Sequence, residues 1–130
     1  PNRKRPHVSS TMYLHLDGDD VGSRLELLLL DGRLDKAATL SSKVTRAMQA
    51  LRVGLEEIDG LEVRLFGGDD LIATCPSGAV TPGKLQELRR AFKRTCGITL
   101  SSGAGPSVQE ALSNLRRAKL SGKNRSVGKL

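Results

Sequence analysis

Between Leu61 and Cys75 the sequence reads LEVRLFGGDDLIATC, two strand-length segments separated by Gly67-Gly68. Leu61, Val63 and Leu65 alternate with Glu62, Arg64 and Phe66, the double glycine makes a tight turn, and DDLIATC begins a second strand. This pattern predicts a β-hairpin. A hairpin in mid-chain means that whatever sheet the rest completes contains antiparallel pairing. Two acids, Asp69 and Asp70, stand at its turn.

The flanking segments supply the remaining elements. Thr11 to Leu16 predicts a short apolar strand, stopped by a Gly-Asp cluster that also offers a helix start. A helix follows to about Leu30, and DGRLD breaks it. A second helix begins at Leu34 or Ser41 and runs to Ile58, with Leu40, Val44, Ala47, Met48, Leu51, Leu55 and Ile58 at helical spacing. Thr81 with Pro82 behind it marks a third helix, whose Leu85, Leu88 and Phe92 line one face as far as Thr95. GITLSSGAG reads as a strand, and Ser107 with Glu110 has capping-box spacing that opens a last helix through Leu112, Leu115 and Lys119. The order is β-α-α-β-β-α-β-α. It predicts an α+β, ferredoxin-like fold, a mostly antiparallel sheet covered by helices. A chain of 130 residues builds one core, so residues 11–130 read as a single domain behind a flexible basic start, residues 1–10. The tail SGKNRSVGKL reads as part of a basic face or as a frayed end.

Several function classes fall away. The longest apolar run, Leu25 to Leu30, is interrupted by Glu26 and is far shorter than the roughly 20 residues a membrane span needs. The start PNRKRPH leads into polar VSST, which is no signal peptide, and the chain reads as cytoplasmic. Cys75 and Cys96 lack paired spacing and the only histidines are His7 and His15, so zinc is disfavoured. The cysteines read as buried small hydrophobes in a reducing compartment, a disulfide being the other reading. Any metal should be a hard ion on oxygen, magnesium or manganese.

The net charge is +7, yet Asp17, Asp19 and Asp20 crowd into four positions behind the first strand. A sheet of the expected kind sets that strand beside the hairpin, bringing Asp17 close to Asp69 and Asp70. Four or five converging carboxylates repel unless cations balance them, and two divalent ions about 3.5–4 Å apart are the usual solution. The bland alternative is that Asp-Gly clusters are turn and cap material. A calcium loop fails, because its fifth and twelfth positions would be Val21 and Leu28. An aspartate phosphohydrolase would need more parallel strand-helix units before its late acidic pair. From Lys84 onward eleven Lys and Arg face only Glu87 and Glu110, a basic half that could hold phosphates or RNA. Few aromatics are available to stack on RNA bases.

LHLDGDDVGSRLELLL, then LFGGDDLI, GITLSSGAG and RRAKLSGKNRSV, together resemble the minimal CRISPR polymerase family, mCpol, from about Thr11 to Val127. These are stand-alone palm domains related to the polymerase subunit of type III CRISPR complexes and to GGDEF cyclases. The resemblance implies a nucleotidyltransferase that uses two divalent ions, Mg2+ or Mn2+, to join nucleoside triphosphates into a cyclic oligonucleotide with release of pyrophosphate. It further implies an anti-phage signal, a cyclic di-adenylate, sensed by a separate transmembrane effector. The stretches SRLELLLLDG and ALSNLRR lack the residues GGDEF cyclases use for guanine, which favours ATP as substrate. Two triphosphates oriented head to tail suit a homodimer. A catalytically silent nucleotide sensor and an RNA-binding module are the other readings.

By the same resemblance Asp17, Asp69 and Asp70 are the metal-binding and catalytic acids, and Gly18 offers a backbone carbonyl to the ions. Backbone amides from Asp19, Asp20, Val21 and Gly22 cradle the β- and γ-phosphates. Gly67 and Gly68 leave room for the nucleotide and permit unusual backbone angles. Lys119 reaches the triphosphate, with Lys123 and Arg125 as further candidates. No His or Lys base is expected beside the acids.

Overall fold

The structure, a computed structural model, describes residues 10–130, and the expectation of a flexible basic start falls outside them. The elements are β1 (Thr11–Gly18), α1 (Val21–Leu30), α2 (Leu34–Glu56), β2 (Glu62–Phe66), β3 (Asp70–Pro76), α3 (Pro82–Cys96), β4 (Leu100–Gly105), α4 (Val108–Leu120) and β5 (Ser126–Val127). They form one sheet in the order β2-β3-β1-β4-β5, antiparallel except for the last pair. The chain therefore has the expected α+β palm-like architecture. β1 lies beside the hairpin strand β3, as its apolar run and the hairpin together demand.

Strand alternation separates the two faces of the sheet. Leu14 and Leu16 are fully buried and pack with Val44, Met48, Leu85 and Phe92 from α2 and α3. His15 and Asp17 point the other way. His15 pairs with Gly103, and a side chain at Gly103 would run into the backbone of Ala111 and Leu115 on α4. That face is therefore covered by α4, pressed down on a glycine. Gly103→Ala is expected to cost about 2–3 kcal/mol, because neither backbone can move aside. Urea denaturation, with the midpoint falling at unchanged slope, checks it.

The starts of α3 and α4 behave as their sequences predict. Thr81 Oγ1 accepts from the Lys84 amide at 3.1 Å, and Ser107 Oγ accepts from the Glu110 amide at 3.1 Å. Cys75 and Cys96 are buried free thiols, and burial raises both thiol pKa values. No helix among the described residues is long and apolar enough to cross a membrane.

Four expectations need correction. β1 continues to Gly18, because Asp17 is paired on both sides, with Asp70 and with Ser101. β4 starts at Leu100 rather than Gly97, since Gly97 takes φ 78 and closes α3. A bulge between Val63 and Leu65 breaks the alternation of β2, so Leu65 faces solvent and Phe66 lies under the Arg52 guanidinium, 4.9 Å away. The tail is not a frayed end. It turns through Lys123 (φ 64) and Asn124 (φ 51) and adds β5 parallel to β4.

Candidate active site

The end of β1 and the turn of the hairpin meet at one point. Asp17 and Asp70 are register partners, and the Gly18 amide donates to the Asp69 carbonyl at 2.9 Å. Asp17, Asp69 and Asp70 thus line a cleft of about 640 Å³, together with Gly18, Asp20, Val21 and Gly22. Its far wall is α4, which contributes Leu112, Arg116 and Lys119, with Lys123 just beyond. Juxtaposition of the two acid clusters follows from sheet order alone.

The carboxylates do not all converge. Asp19 turns away from the cleft and is almost completely buried, accepting from Thr99 Oγ1 at 2.6 Å, Ser101 Oγ at 2.8 Å and the Asn124 amide at 3.0 Å. Asp20 pairs with Lys123 Nζ at 2.7 Å. Of the four or five acids expected around one point, Asp17, Asp69 and Asp70 face the cleft free of the pairing that holds Asp20, without closing on a single point. Among the described residues no three His, Cys, Asp or Glu side chains gather as a metal cluster. What the cleft does offer is hard oxygen, from carboxylates and backbone carbonyls, a donor set suited to magnesium or manganese and not to zinc.

Lys119 supplies the balancing charge. Its Nζ lies 3.0 Å from Asp17 Oδ2 and 2.9 Å from Asp19 Oδ1, and donates to the Gly18 carbonyl at 2.9 Å and the Asp17 carbonyl at 3.3 Å. The ammonium thus occupies the Gly18 oxygen assigned to an ion and lies among the acids it was expected to reach past. Burial raises the Asp17 carboxyl above its usual range, against the pull of Lys119 and with a further push from Asp69 and Asp70. Asp19 goes the other way. Burial would raise it, but bonds from Thr99, Lys119, Ser101 and Asn124 outweigh burial and hold it low. For Lys119 the two carboxylates overcome desolvation and raise its pKa.

The first turn of α1 opens on the same cleft. Its preceding residue, Asp20, sits at φ 61, and no side chain caps the helix. The amides of Val21, Gly22 and Ser23 have no partner within the helix, because the first intrahelical donor is Arg24. Asp19 is different, for its amide is already donated to the Thr99 carbonyl at 2.9 Å. That removes it from the expected phosphate cradle.

Other expected residues are placed differently. Gly67 and Gly68 do not have positive φ. A side chain at Gly67 would meet Asp70 Oδ1 at 2.6 Å, whereas Gly68 faces open space, so close approach and not an unusual turn explains the first. Arg125 does not line the cleft. Its Nε donates to the Lys123 carbonyl at 3.1 Å and it faces a different pocket. His15, contrary to expectation, does stand beside the acids. Its Nε2 is 3.5 Å from Asp70 Oδ2. Period-two alternation along β1, which puts residue 15 on the face of residue 17, was the signal for it. Arg116 was equally legible, three residues before Lys119 on the same helix face.

Comparison with known proteins follows the same lines. The minimal CRISPR polymerase domain family, mCpol, matches residues 13–129. Among solved structures, the Csm1-Csm4 cassette in complex with one ATP is similar at TM-score 0.69 and 21% identity, over 92% of this chain and 21% of that one. The cassette in complex with pppApA gives TM-score 0.66 and 19% identity, over 95% of this chain and 22% of that one. The active GGEEF domain of a diguanylate cyclase from Vibrio cholerae gives TM-score 0.52 and 14% identity, over 90% and 81%. The chain spans about a fifth of the length of the cassette chains, and at these identities the likeness is one of fold. No curated protein matches the sequence.

Proposed function

The chain belongs to the minimal CRISPR polymerase family, and on that premise we propose that it condenses nucleoside triphosphates, ATP in preference, into a cyclic oligonucleotide. The observation that carries this reading is the register of Asp17 with Asp70 beneath the uncapped start of α1. Carboxylates and free amides face one cleft there, as a metal-bound triphosphate requires. Magnesium or manganese ions, two per site, would be held by Asp17, Asp69, Asp70 and the Gly18 carbonyl, would lower the pKa of a ribose hydroxyl and would offset the triphosphate charge.

The chain's own groups do the rest by positioning. The Val21 and Gly22 amides, at the positive end of α1, hold phosphate oxygens. Lys119 and Lys123 line the same cleft and would pair with those oxygens, exchanging carboxylate for phosphate. Gly67 and Gly68 leave the hairpin turn open to the nucleotide. The hydroxyl proton passes to Asp69, Asp70 or water. Asp19 never meets substrate and fixes the turn that carries Asp17, Gly18 and Asp20.

The reading extends to assembly and biology. A second copy would present a second triphosphate. Leu27, Leu29, Leu30 and Leu34, on α1 and at the start of α2, are exposed by 53–77% and offer apolar side chains for such a contact. A cyclic di-adenylate would act as an anti-phage signal on a separate transmembrane effector. A silent nucleotide sensor is the second reading, favoured by Lys119, whose ammonium already balances Asp17 and Asp19.

Pyrophosphate release from each of the four nucleoside triphosphates, with Mg2+ or Mn2+, separates the readings. Release that is fastest with ATP is expected. Tight metal-dependent binding without release would instead establish the sensor, and release of inorganic phosphate would establish a phosphohydrolase.

A further inference from the structure

A second pocket of about 640 Å³ opens between the first half of α3 and the residues around β5, and it shares no lining residue with the acid cleft. Pro82, Leu85 and Leu130 give it an apolar wall, while Arg89, Arg125 and Lys129 bring positive charge, and no acidic side chain lines it. This is where part of the basic second half of the chain is gathered.

Arg89 is the telling residue. Its Nη1 donates to Ser126 Oγ at 3.3 Å, but its Nε is buried without a partner among the described residues. None of the ion pairs among the described residues includes it. Arg89 is half-buried with no carboxylate among the described residues paired to it, an unfavourable setting for a cation, and burial, with Arg90 nearby, lowers its pKa. An anionic ligand at the Arg89 Nη groups would supply the missing counter-charge.

The rim is held firmly enough to be a site. The Ser102 amide donates to the Arg125 carbonyl at 2.9 Å, and the Ser102 and Ser126 hydroxyls are 2.6 Å apart. Gly128, at φ 97, lies so close to the Ala104 carbonyl that no side chain fits. Arg125 is therefore carried on fixed backbone, and Lys129 follows the tightly packed Gly128.

Volume and lining select the ligand class. A bare phosphate would leave most of the space empty, whereas pockets of about 300–1,000 Å³ suit organic ligands. Guanidinium groups bind phosphate bidentately and also stack on flat rings. We infer that this pocket binds a nucleotide, its phosphate on Arg89, Arg125 and Lys129 and its base against Pro82, Leu85 and Leu130, without metal and apart from the acid cleft.

Calorimetric titration of AMP into the Asp70→Asn protein in EDTA tests this without any turnover, so the result is independent of the cyclase reading. Saturable binding of one AMP is expected. Arg89→Gln should weaken it at least about tenfold, the size of one lost charge-assisted bond. Lys129→Gln, which breaks no hydrogen bond or ion pair among the described residues, should weaken it in the same direction and guards against a folding defect in the first variant. Adenosine and inorganic phosphate should each bind at least about tenfold more weakly than AMP. Absence of saturable binding would overturn the inference, as would AMP affinity unchanged in both variants. Phosphate matching AMP would reduce the site to an anion hole and overturn it as well. Loss of AMP binding in Lys123→Gln would place the ligand in the acid cleft, with the same consequence.

Discussion

Asp70→Asn is expected to lower the rate of pyrophosphate release by about a thousandfold or more, a loss of several kcal/mol of transition-state stabilisation. The substitution keeps size and shape and removes only the charge. Asp70 is about one-third exposed and, among the described residues, its closest basic side chain is His15, with Nε2 at 3.5 Å, so the fold has little reason to suffer. Initial rates measured beside a thermal melt check both halves. A melting temperature that stays put while turnover disappears is the expected pair. Retained turnover would remove Asp70 from the site, and a collapsed melt would make it a structural residue.

Asp19→Ala is expected to have the largest effect on stability. Asp19 is 4% exposed and gathers two hydroxyls, one amide and the Lys119 ammonium. Removing it leaves several buried donors and part of a buried charge without a partner, at a cost of about 3–5 kcal/mol. For a chain of this size that corresponds to a fall in melting temperature on the order of 10–15 °C. The acid limb of stability should change too. The Asp19 pKa is lower folded than unfolded, so its contribution is complete above about pH 4 and is lost as pH falls through the folded value. Asp17 is shifted up and has the opposite sign, favouring the fold at low pH and losing that contribution as pH rises through its folded value. Without Asp19 the decline below about pH 4 should therefore be shallower than in the wild type. Denaturation midpoints between about pH 2 and 6 decide it, and an unchanged acid limb would show that Asp19 is not the group responsible.

What could be read from the sequence was local pattern of sufficient length. The hairpin, the capped starts of α3 and α4 and the period of α2 each rest on several residues that agree, and sheet order then brings Asp17 to Asp70. β5 has two residues and no alternation, and it exists because β4 and the Ser102 hydroxyl are there to receive it. Arg125 was misplaced for the same reason. Its direction is set by two left-handed residues, Lys123 and Asn124, that follow α4, and spacing along a helix cannot anticipate such a turn. Asp19 and Asp17 look alike in the sequence, but one points into the core and the other into the cleft. The difference lies in Thr99 and Ser101, about eighty positions away. His15, by contrast, could have been found from strand alternation alone.

The most direct test of the central claim is the mass of the product formed from ATP alone, before and after phosphatase treatment. A cyclic product has a mass equal to a whole number of ATP molecules each less one pyrophosphate, and the phosphatase leaves it unchanged. That result is predicted. A product that keeps a triphosphate end and is trimmed by the phosphatase, or ATP recovered intact, would contradict it.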